Sequence, residues 1–418
     1  MKILIYSLNY SPELTGIGKY NTEMSEWLSH QGHEVRVVCA PPYYPEWKVG
    51  KAYNNWSYKK EKINGIIVYR SPLYIPSKVT FISRIVHLLS FSITSIIPLV
   101  RLIGWSPDVI FTTMPSLLSL PNALIFSKFY RSTSWLHIQD LELDALFELS
   151  SSVPVAFLKP YLLAIERVIL SKFDRVSTIS HSIIQALHQK KARHEIYPYF
   201  PNWASIAPST TIIPYDLCAY KELLGVSQDC TIILYSGNIG IKQGLEIVID
   251  AAKALKSDPN VIFLIVGDGA YKRELMQSVQ QYGVKNIIFF PLRPANELPF
   301  LLSIANIHLI IQKKGVSNIA LPSKMTNILA VGGFILLTAE KDTELAKLVS
   351  KYPGIAALTD PGDPHKFISS LKILIKNVRM LNDNEINVVA KEYAIKFLSK
   401  ETVLCNSPLE HFINPRFK

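Results

Sequence analysis

Three stretches of this chain place glycine, a cation and the start of a helix close together. Leu234-Tyr235-Ser236-Gly237-Asn238-Ile239-Gly240-Ile241-Lys242-Gln243-Gly244 reads as a strand, a Gly-rich loop and a helix start. Backbone amides and Lys242 in that order suit a diphosphate, the amides giving geometry and the lysine charge. A solvated lysine beside an ordinary helix start has the same local pattern. Leu321-Pro322-Ser323-Lys324-Met325-Thr326-Asn327 is a second helix start, with Ser323 as N-cap and Gly332-Gly333 as the stop. The third, Thr15-Gly16-Ile17-Gly18, follows the first strand, and its Gly16 and Gly18 amides face either an anion or nothing but a βα turn. Three helix N-termini converging on one cleft is the geometry that a nucleotide diphosphate needs.

Polar chemistry also gathers after a strand ending at His137. His137, Gln139, Asp140, Glu142 and Asp144 are costly to bury unless paired or facing a cleft. His137 and Asp140 are the candidates for proton transfer, and Glu142 for orienting an acceptor hydroxyl. Asp140 has a second reading as a helix cap. No metal site is expected, since no Asp-x-Asp motif occurs. Tyr44 and Trp47, in the run Pro41 to Trp47, either stack on sugar faces or pack on their own domain.

These groups need a scaffold. The spacing predicts strands over Lys2–Ser7, Glu34–Cys39, Ile66–Tyr69, Val109–Thr112, Ser134–His137 and Arg175–Ile179, with a helix over Tyr20–His30. Prolines 198, 201, 208 and 214 break this rhythm, and it restarts at Thr231. The expected class is α/β, two Rossmann-like lobes with parallel sheets and a cleft between them. The lobes span 1–200 and 216–390, joined by a linker at 201–215, and a helical segment over 391–418 packs back on the first lobe.

Composition limits the partners. The 418 residues are 49% hydrophobic, and 44 Lys and Arg against 33 Asp and Glu give a net charge of +11. Basic runs are short, which disfavours a nucleic-acid surface. Four scattered cysteines without a CxxC pair imply a reducing compartment. The stretch 79–105 is apolar, with only His87 ionisable between Arg84 and Arg101. It suits a buried helix, a helix lying in a bilayer interface, or, being short and broken by Pro98, less well a span. Up to residue 200 there are 21 Lys and Arg against 14 acids, so the basic excess lies mostly in the lobe carrying that stretch.

The order of the motifs resembles the glycosyltransferases of family 4, which have the GT-B fold, over almost the whole chain. Thr15-Gly16 with Gly32-His33-Glu34-Val35 looks like the family's Gly-Gly loop, helix and Gly-His-Glu-Val strand. Gly237 to Gly244 looks like its phosphate loop, and Gly267-Asp268-Gly269 like its Gly-x-Gly turn. Two positions depart. Asn238 stands where the family often has Arg, and Ile319 and Asn327 stand where it has a pair of Glu. The departures themselves resemble a subgroup of bacterial polysaccharide enzymes that transfer fucose or L-fucosamine.

That resemblance implies a transferase moving a 6-deoxy sugar from a UDP- or GDP-linked donor to a polyprenyl-diphosphate-linked GlcNAc or glycan. The product would be O-antigen or exopolysaccharide, made at the cytoplasmic face of the inner membrane. It further implies retention of configuration without a metal or other cofactor. Donor contacts are expected from Gly16, Gly18, Gly237, Asn238, Lys242, Gly244, Pro322, Ser323 and Lys324. Asn327 is expected on the ribose, and Gly267, Asp268 and Arg293 beside the base. A GT-B nucleotide-sugar 2-epimerase and a non-catalytic nucleotide-sugar binder are the alternatives. A nicotinamide dehydrogenase is disfavoured because neither lobe opens with GxGxxG.

Overall fold

The computed structural model describes all residues except 14–15, 45, 79, 142, 144–152, 191–196, 210–213, 315–322, 382–384 and 414–418. At 81, 153–158, 214, 215, 242, 295 and 323 it describes the backbone alone. The chain forms two units, Met1–Pro201 with Leu404–Lys418, and Asn202–Val403.

Unit 1 contains β1 (Lys2–Tyr6), β2 (Glu34–Cys39), β3 (Lys59–Ile63), β4 (Ile66–Arg70), β5 (Val109–Met114), β6 (Thr133–Ile138) and β7 (Arg175–Thr178) in the order β3-β4-β2-β1-β5-β6-β7. All pairs are parallel except β3 with β4. β1 and β5 are buried along nearly their whole length, as central strands covered on both faces must be. The edge strand β3, Lys-Lys-Glu-Lys-Ile, keeps its charges in water, which blunts the edge against pairing with other chains. Asn64-Gly65, at φ +47° and +87°, turns it into β4.

Unit 2 is a parallel sheet of β8 (Thr231–Ser236), β9 (Val261–Val266), β10 (Ile287–Phe290), β11 (Ile307–Ile310), β12 (Ile335–Thr338) and β13 (Ala357–Thr359), ordered β10-β9-β8-β11-β12-β13. Strand order reverses at β1 in unit 1 and at β8 in unit 2. Ligand sites in doubly wound sheets lie beyond the carboxyl ends of strands at such points.

Two expected boundaries move. The first part of the expected linker 201–215 is not free, because Trp203, Ala204 and Ile206 are buried and the last two belong to the core of unit 2. The return to unit 1 comes at Leu404, not 391, because Ala390, Ala394 and Leu398 fill that same core. Beyond it, Phe412 meets Trp135 edge-on at 5.7 Å.

The apolar stretch becomes α2 (Phe81–Thr94), capped by Thr80, and α3 (Ile96–Arg101). Its faces are reversed relative to an ordinary surface helix. The Ser92 hydroxyl donates to the Leu118 carbonyl at 2.8 Å, and the Asn122 amide donates to the Ser92 carbonyl at 2.6 Å. Thr94 donates to the Pro72 carbonyl at 2.6 Å, and Ser95 bonds the Tyr6 hydroxyl at 2.8 Å. Ile82, Val86, Leu89, Ile93, Ile97 and Val100 are instead between 42% and 72% exposed. The reading of this stretch as a buried core helix is therefore overturned. Asn122 lies on α4 (Leu120–Tyr130), whose Ile125 and Phe129 are also exposed.

Candidate active site

The carboxyl end of β8 carries a tight double loop. Gly237, at φ +143°, donates its amide to the Val266 carbonyl at 2.9 Å, and Ile239 donates to the Asp268 carbonyl at 2.8 Å. A Cβ at Gly267 (φ +155°) would lie 1.9 Å from the Gly237 carbonyl oxygen, and one at Gly269 would lie 2.3 Å from that of Ile239. Only glycine permits this approach, so the two loops hold each other in place. Asn238 sits between them, its Oδ1 2.6 Å from the position a Cβ would take at Gly269 and its Nδ2 3.2 Å from that at Gly240. Asn238 thus packs the loops where an Arg would carry charge. Lys242 lies in the short turn Ile241–Gln243, which Gly244 closes at φ +69°. Its side chain, like Pro322 and Glu142, is outside the described residues, as is the side chain of Ser323.

Lys324, in the first turn of the helix Ser323–Val331, reaches over this loop. Its Nζ lies 4.3 Å from the centroid of the Tyr235 ring and 3.8 Å from the position of a Cβ at Gly237. Among the described residues no carboxylate pairs with it. Burial lowers its pKa to about 8. A desolvated cation without a carboxylate partner among the described residues has room for an anion in its place.

Other expected donor residues are already engaged. The Asn327 amide oxygen accepts the Ser205 and Ile206 amides at 2.6 and 3.2 Å, anchoring the segment after Pro201, so it is not free for a ribose. Arg293 gives Nε and Nη2 to Glu297 at 2.8 and 2.7 Å, and Tyr220 donates to the same carboxylate at 2.9 Å. That triad ties down the loop after β10 and leaves the guanidinium little freedom to border a base. Asp268 is exposed, with one carboxylate oxygen on the Gly269 amide at 2.8 Å.

In unit 1 the helix α1 (Gly16–His30) begins against an acid that sequence reasoning did not single out. Glu13 is buried, and its Oε1 accepts the Tyr43 and Tyr44 amides at 2.9 and 3.0 Å while Oε2 accepts from Asn9 at 2.8 Å. A Cβ at Gly18 would lie 2.8 Å from Oε2, so Gly18 makes room for Glu13 and not for a ligand phosphate. Burial raises the Glu13 pKa, against the Tyr44 and Tyr43 amides that lower it. A lone acid between Pro12 and the glycines was the available signal. Gly16, at φ +59°, leaves the start of α1 open, with Tyr44 3.8 Å from its Cβ position.

Glu13 thereby shapes the aromatic loop. Tyr44 is exposed, whereas Trp47 packs with Tyr43 (5.5 Å) and His87 (5.1 Å). His87 donates Nδ1–H to the Tyr74 carbonyl at 2.6 Å, and burial lowers its pKa to about 4. So Trp47 is a packing residue linking this loop to α2, and Tyr44 alone presents a face for stacking.

The core position of His137 argues against an acid–base role. It is buried between Phe111 and Phe200, and its Nδ1 meets the Ser177 hydroxyl at 3.0 Å. Burial lowers its pKa to about 3, far below what proton transfer near neutral pH requires. Asp140, two residues past β6, is exposed and keeps its candidacy.

Residues 15–203 match the glycosyl transferase 4-like domain, and residues 220–395 match the glycosyl transferases group 1 domain. The chain is 45% identical, over 97% of its length and 98% of the relative's, to an Escherichia coli K12 protein described as a putative colanic acid biosynthesis glycosyl transferase, WcaI. The chain is a family 4 glycosyltransferase. Solved structures agree on the fold. The sucrose-phosphate synthase of Thermosynechococcus elongatus superposes with a TM-score of 0.75 at 15% identity, covering 100% of this chain and 99% of that one. Anabaena HepE in complex with UDP gives 0.70 at 16% identity, covering 99% of each. The transferase therefore has the GT-B fold, and its Gly237–Gly244 loop and Lys324 belong to the group 1 domain.

Proposed function

We propose that this transferase moves a 6-deoxy sugar of the fucose or L-fucosamine type from a UDP- or GDP-linked donor to a GlcNAc-bearing polyprenyl diphosphate. The product is a repeat unit of O-antigen or exopolysaccharide. The sugar class and pathway rest on the full-length likeness to a protein described in colanic acid biosynthesis. The donor class rests on one observation, the Lys324 ammonium held over the Gly237 loop with no carboxylate partner among the described residues. Negative charge grows on the departing diphosphate as the glycosidic bond breaks, and a fixed cation with oriented amides stabilises it without reorganisation. Lys242 adds a second cation to the same loop. Charge supplied this way needs no metal, Asp140 and Tyr44 serve the acceptor, and retention of anomeric configuration is carried over from the family resemblance alone.

Incubating a lipid-linked GlcNAc acceptor with a panel of nucleotide sugars, with and without EDTA, tests this reading by mass spectrometry. Transfer of a deoxyhexose or its N-acetylamino form, unaffected by EDTA, is expected. Epimerisation of the donor alone, or binding without transfer, would overturn it.

The transferase works at the inner face of the cytoplasmic membrane, held there by α2, α3 and α4. Between residues 71 and 138 the one acidic residue is Asp108, against Lys78, Arg84, Arg101, Lys128 and Arg131. An exposed apolar face rimmed by cations suits an anionic bilayer. Ile93→Asp combined with Ile97→Asp is expected to weaken sedimentation with phosphatidylglycerol-containing vesicles by about tenfold or more while leaving the melting temperature unchanged. Equal sedimentation of variant and wild type would remove these helices from the interface.

A further inference from the structure

A cavity of about 360 Å³ in unit 1 is lined by cations and has no part in the donor site. Lys51, Lys59, Arg70, Tyr53, Asn54 and Tyr58 form most of its wall, which contains no carboxylate. Arg70 is 1% exposed and fixed on several sides. Its Nε donates to Glu61 at 2.8 Å, Nη1 to the Ala40 carbonyl at 2.9 Å, and Nη2 to the Ser11 carbonyl. Lys59 pairs with the same Glu61 at 2.9 Å, and both cations face the Tyr53 ring, at 4.4 and 5.1 Å. Lys51 has no carboxylate partner among the described residues. Glu61 pairs with two of these cations and Glu13 also acts on Arg70, while Lys51 is left to give a positive charge to a space at the carboxyl ends of β2 and β4.

The surroundings narrow the class of anion that would suit this space. Tyr58 donates its hydroxyl to the Thr94 carbonyl at 3.1 Å, so the cavity wall is tied to the last turn of α2. Trp56 (74% exposed) and Tyr58 (38%) flank it, and Tyr74, joined to α2 through the Ser90 hydroxyl at 2.9 Å, is 38% exposed. Exposed Trp and Tyr beside an apolar face settle at the headgroup level of a bilayer. A free nucleotide or a soluble anion has no use for that border, whereas an amphiphile with a charged head and a long apolar tail does.

We propose that this cavity seats the diphosphate of the lipid-linked acceptor, with the polyprenyl chain leaving over the exposed face of α2. The proposal rests on the acceptor class given above. Lys51 and Lys59 contact the phosphate oxygens, and Arg70 holds the positive floor. The cavity therefore selects acceptors by their headgroup charge, independently of the sugar.

The test uses full-length protein, an unaltered donor, and two synthetic acceptors, polyprenyl-diphosphate-GlcNAc and polyprenyl-monophosphate-GlcNAc. Lys51→Gln with Lys59→Gln is expected to raise the KM for the diphosphate acceptor by about tenfold or more and to erase most of the preference over the monophosphate. Donor Kd, melting temperature and binding to phosphatidylglycerol vesicles should stay level, which separates a specific seat from general headgroup attraction. Lys60→Gln, on the same strand with its side chain on the opposite face, should match wild type. Inorganic diphosphate should compete with the acceptor in wild type and not in the double variant. An unchanged acceptor KM in the double variant, or an equal loss in Lys60→Gln, overturns the seat while leaving the transferase reading intact. Wild-type transfer only to acceptors without a diphosphate would overturn both.

Discussion

Replacing Lys324 with Met lowers kcat/KM for the nucleotide sugar by about 100-fold, while the protein keeps its fold. The size follows from place. This ammonium lies over the Tyr235 ring and the Gly237 loop and is already out of water, so its attraction to a diphosphate is little screened. The loss appears mostly in kcat if Lys324 acts on the departing diphosphate, and mostly in donor KM if it only binds the ground state. A pH signature accompanies it. The protonated form binds the anion, and burial has lowered the pKa of the free protein to about 8. The competent form is therefore full near pH 7 and drains as pH rises through 8, so the affinity for UDP or GDP measured by calorimetry falls between pH 7.5 and 9.5. Lys324→Arg keeps its proton throughout and should flatten that slope. A wild-type affinity that is level to pH 9.5, together with near-normal turnover in Lys324→Met, would remove Lys324 from the donor site.

Gly267→Ala is the second large effect. The added methyl would sit 1.9 Å from the Gly237 carbonyl oxygen and 3.0 Å from its carbon, both backbone atoms that cannot swing aside. The residue must also hold φ near +155°, where an L side chain is strained. Together these cost about 3–5 kcal/mol, which corresponds to a fall of roughly 6–20 °C in melting temperature. Donor binding should vanish even below the melting temperature, because the Gly237 loop loses its backing. Gly283→Ala is the control. It too has a positive φ, +62°, but nothing lies within 4 Å of its Cβ position, so about 1 kcal/mol is expected. If the two variants melted together, the close approach of the two loops would be wrong.

Much of the scaffold could be read in advance where strands are buried on both faces. Ile3–Tyr6 and Val261–Val266 are unbroken apolar runs, and no neighbour was needed to recognise them. The edge strand Lys59–Ile63 was missed because its side chains face water and its composition looks like a basic run, although the Asn64-Gly65 turn beside it was a usable signal. The serines and threonines of α2 are polar residues in an apolar run. They are its anchors, and which face of a helix packs is decided by loops distant in sequence. Gly-rich loops were legible for the same local reason as strands. Lys324 was expected at the donor, but its seat over Tyr235 was not, nor was the hold of Asn327 on Ser205, since both contacts exist only after the sheet has formed. Burial decided against His137, and no local pattern carries burial of that kind.

The return of the chain at Leu404 has a consequence for biosynthesis. Unit 1 is assembled from both ends of the sequence, and Phe412, against Trp135 and under Arg175, is part of it. Those residues leave the ribosome only after all of unit 2 has been made, a delay of about 10–40 s at ordinary elongation rates. During that interval the nascent first unit already carries its apolar helices, yet lacks one of its own pieces. The half of the enzyme made first is thus the last to be finished.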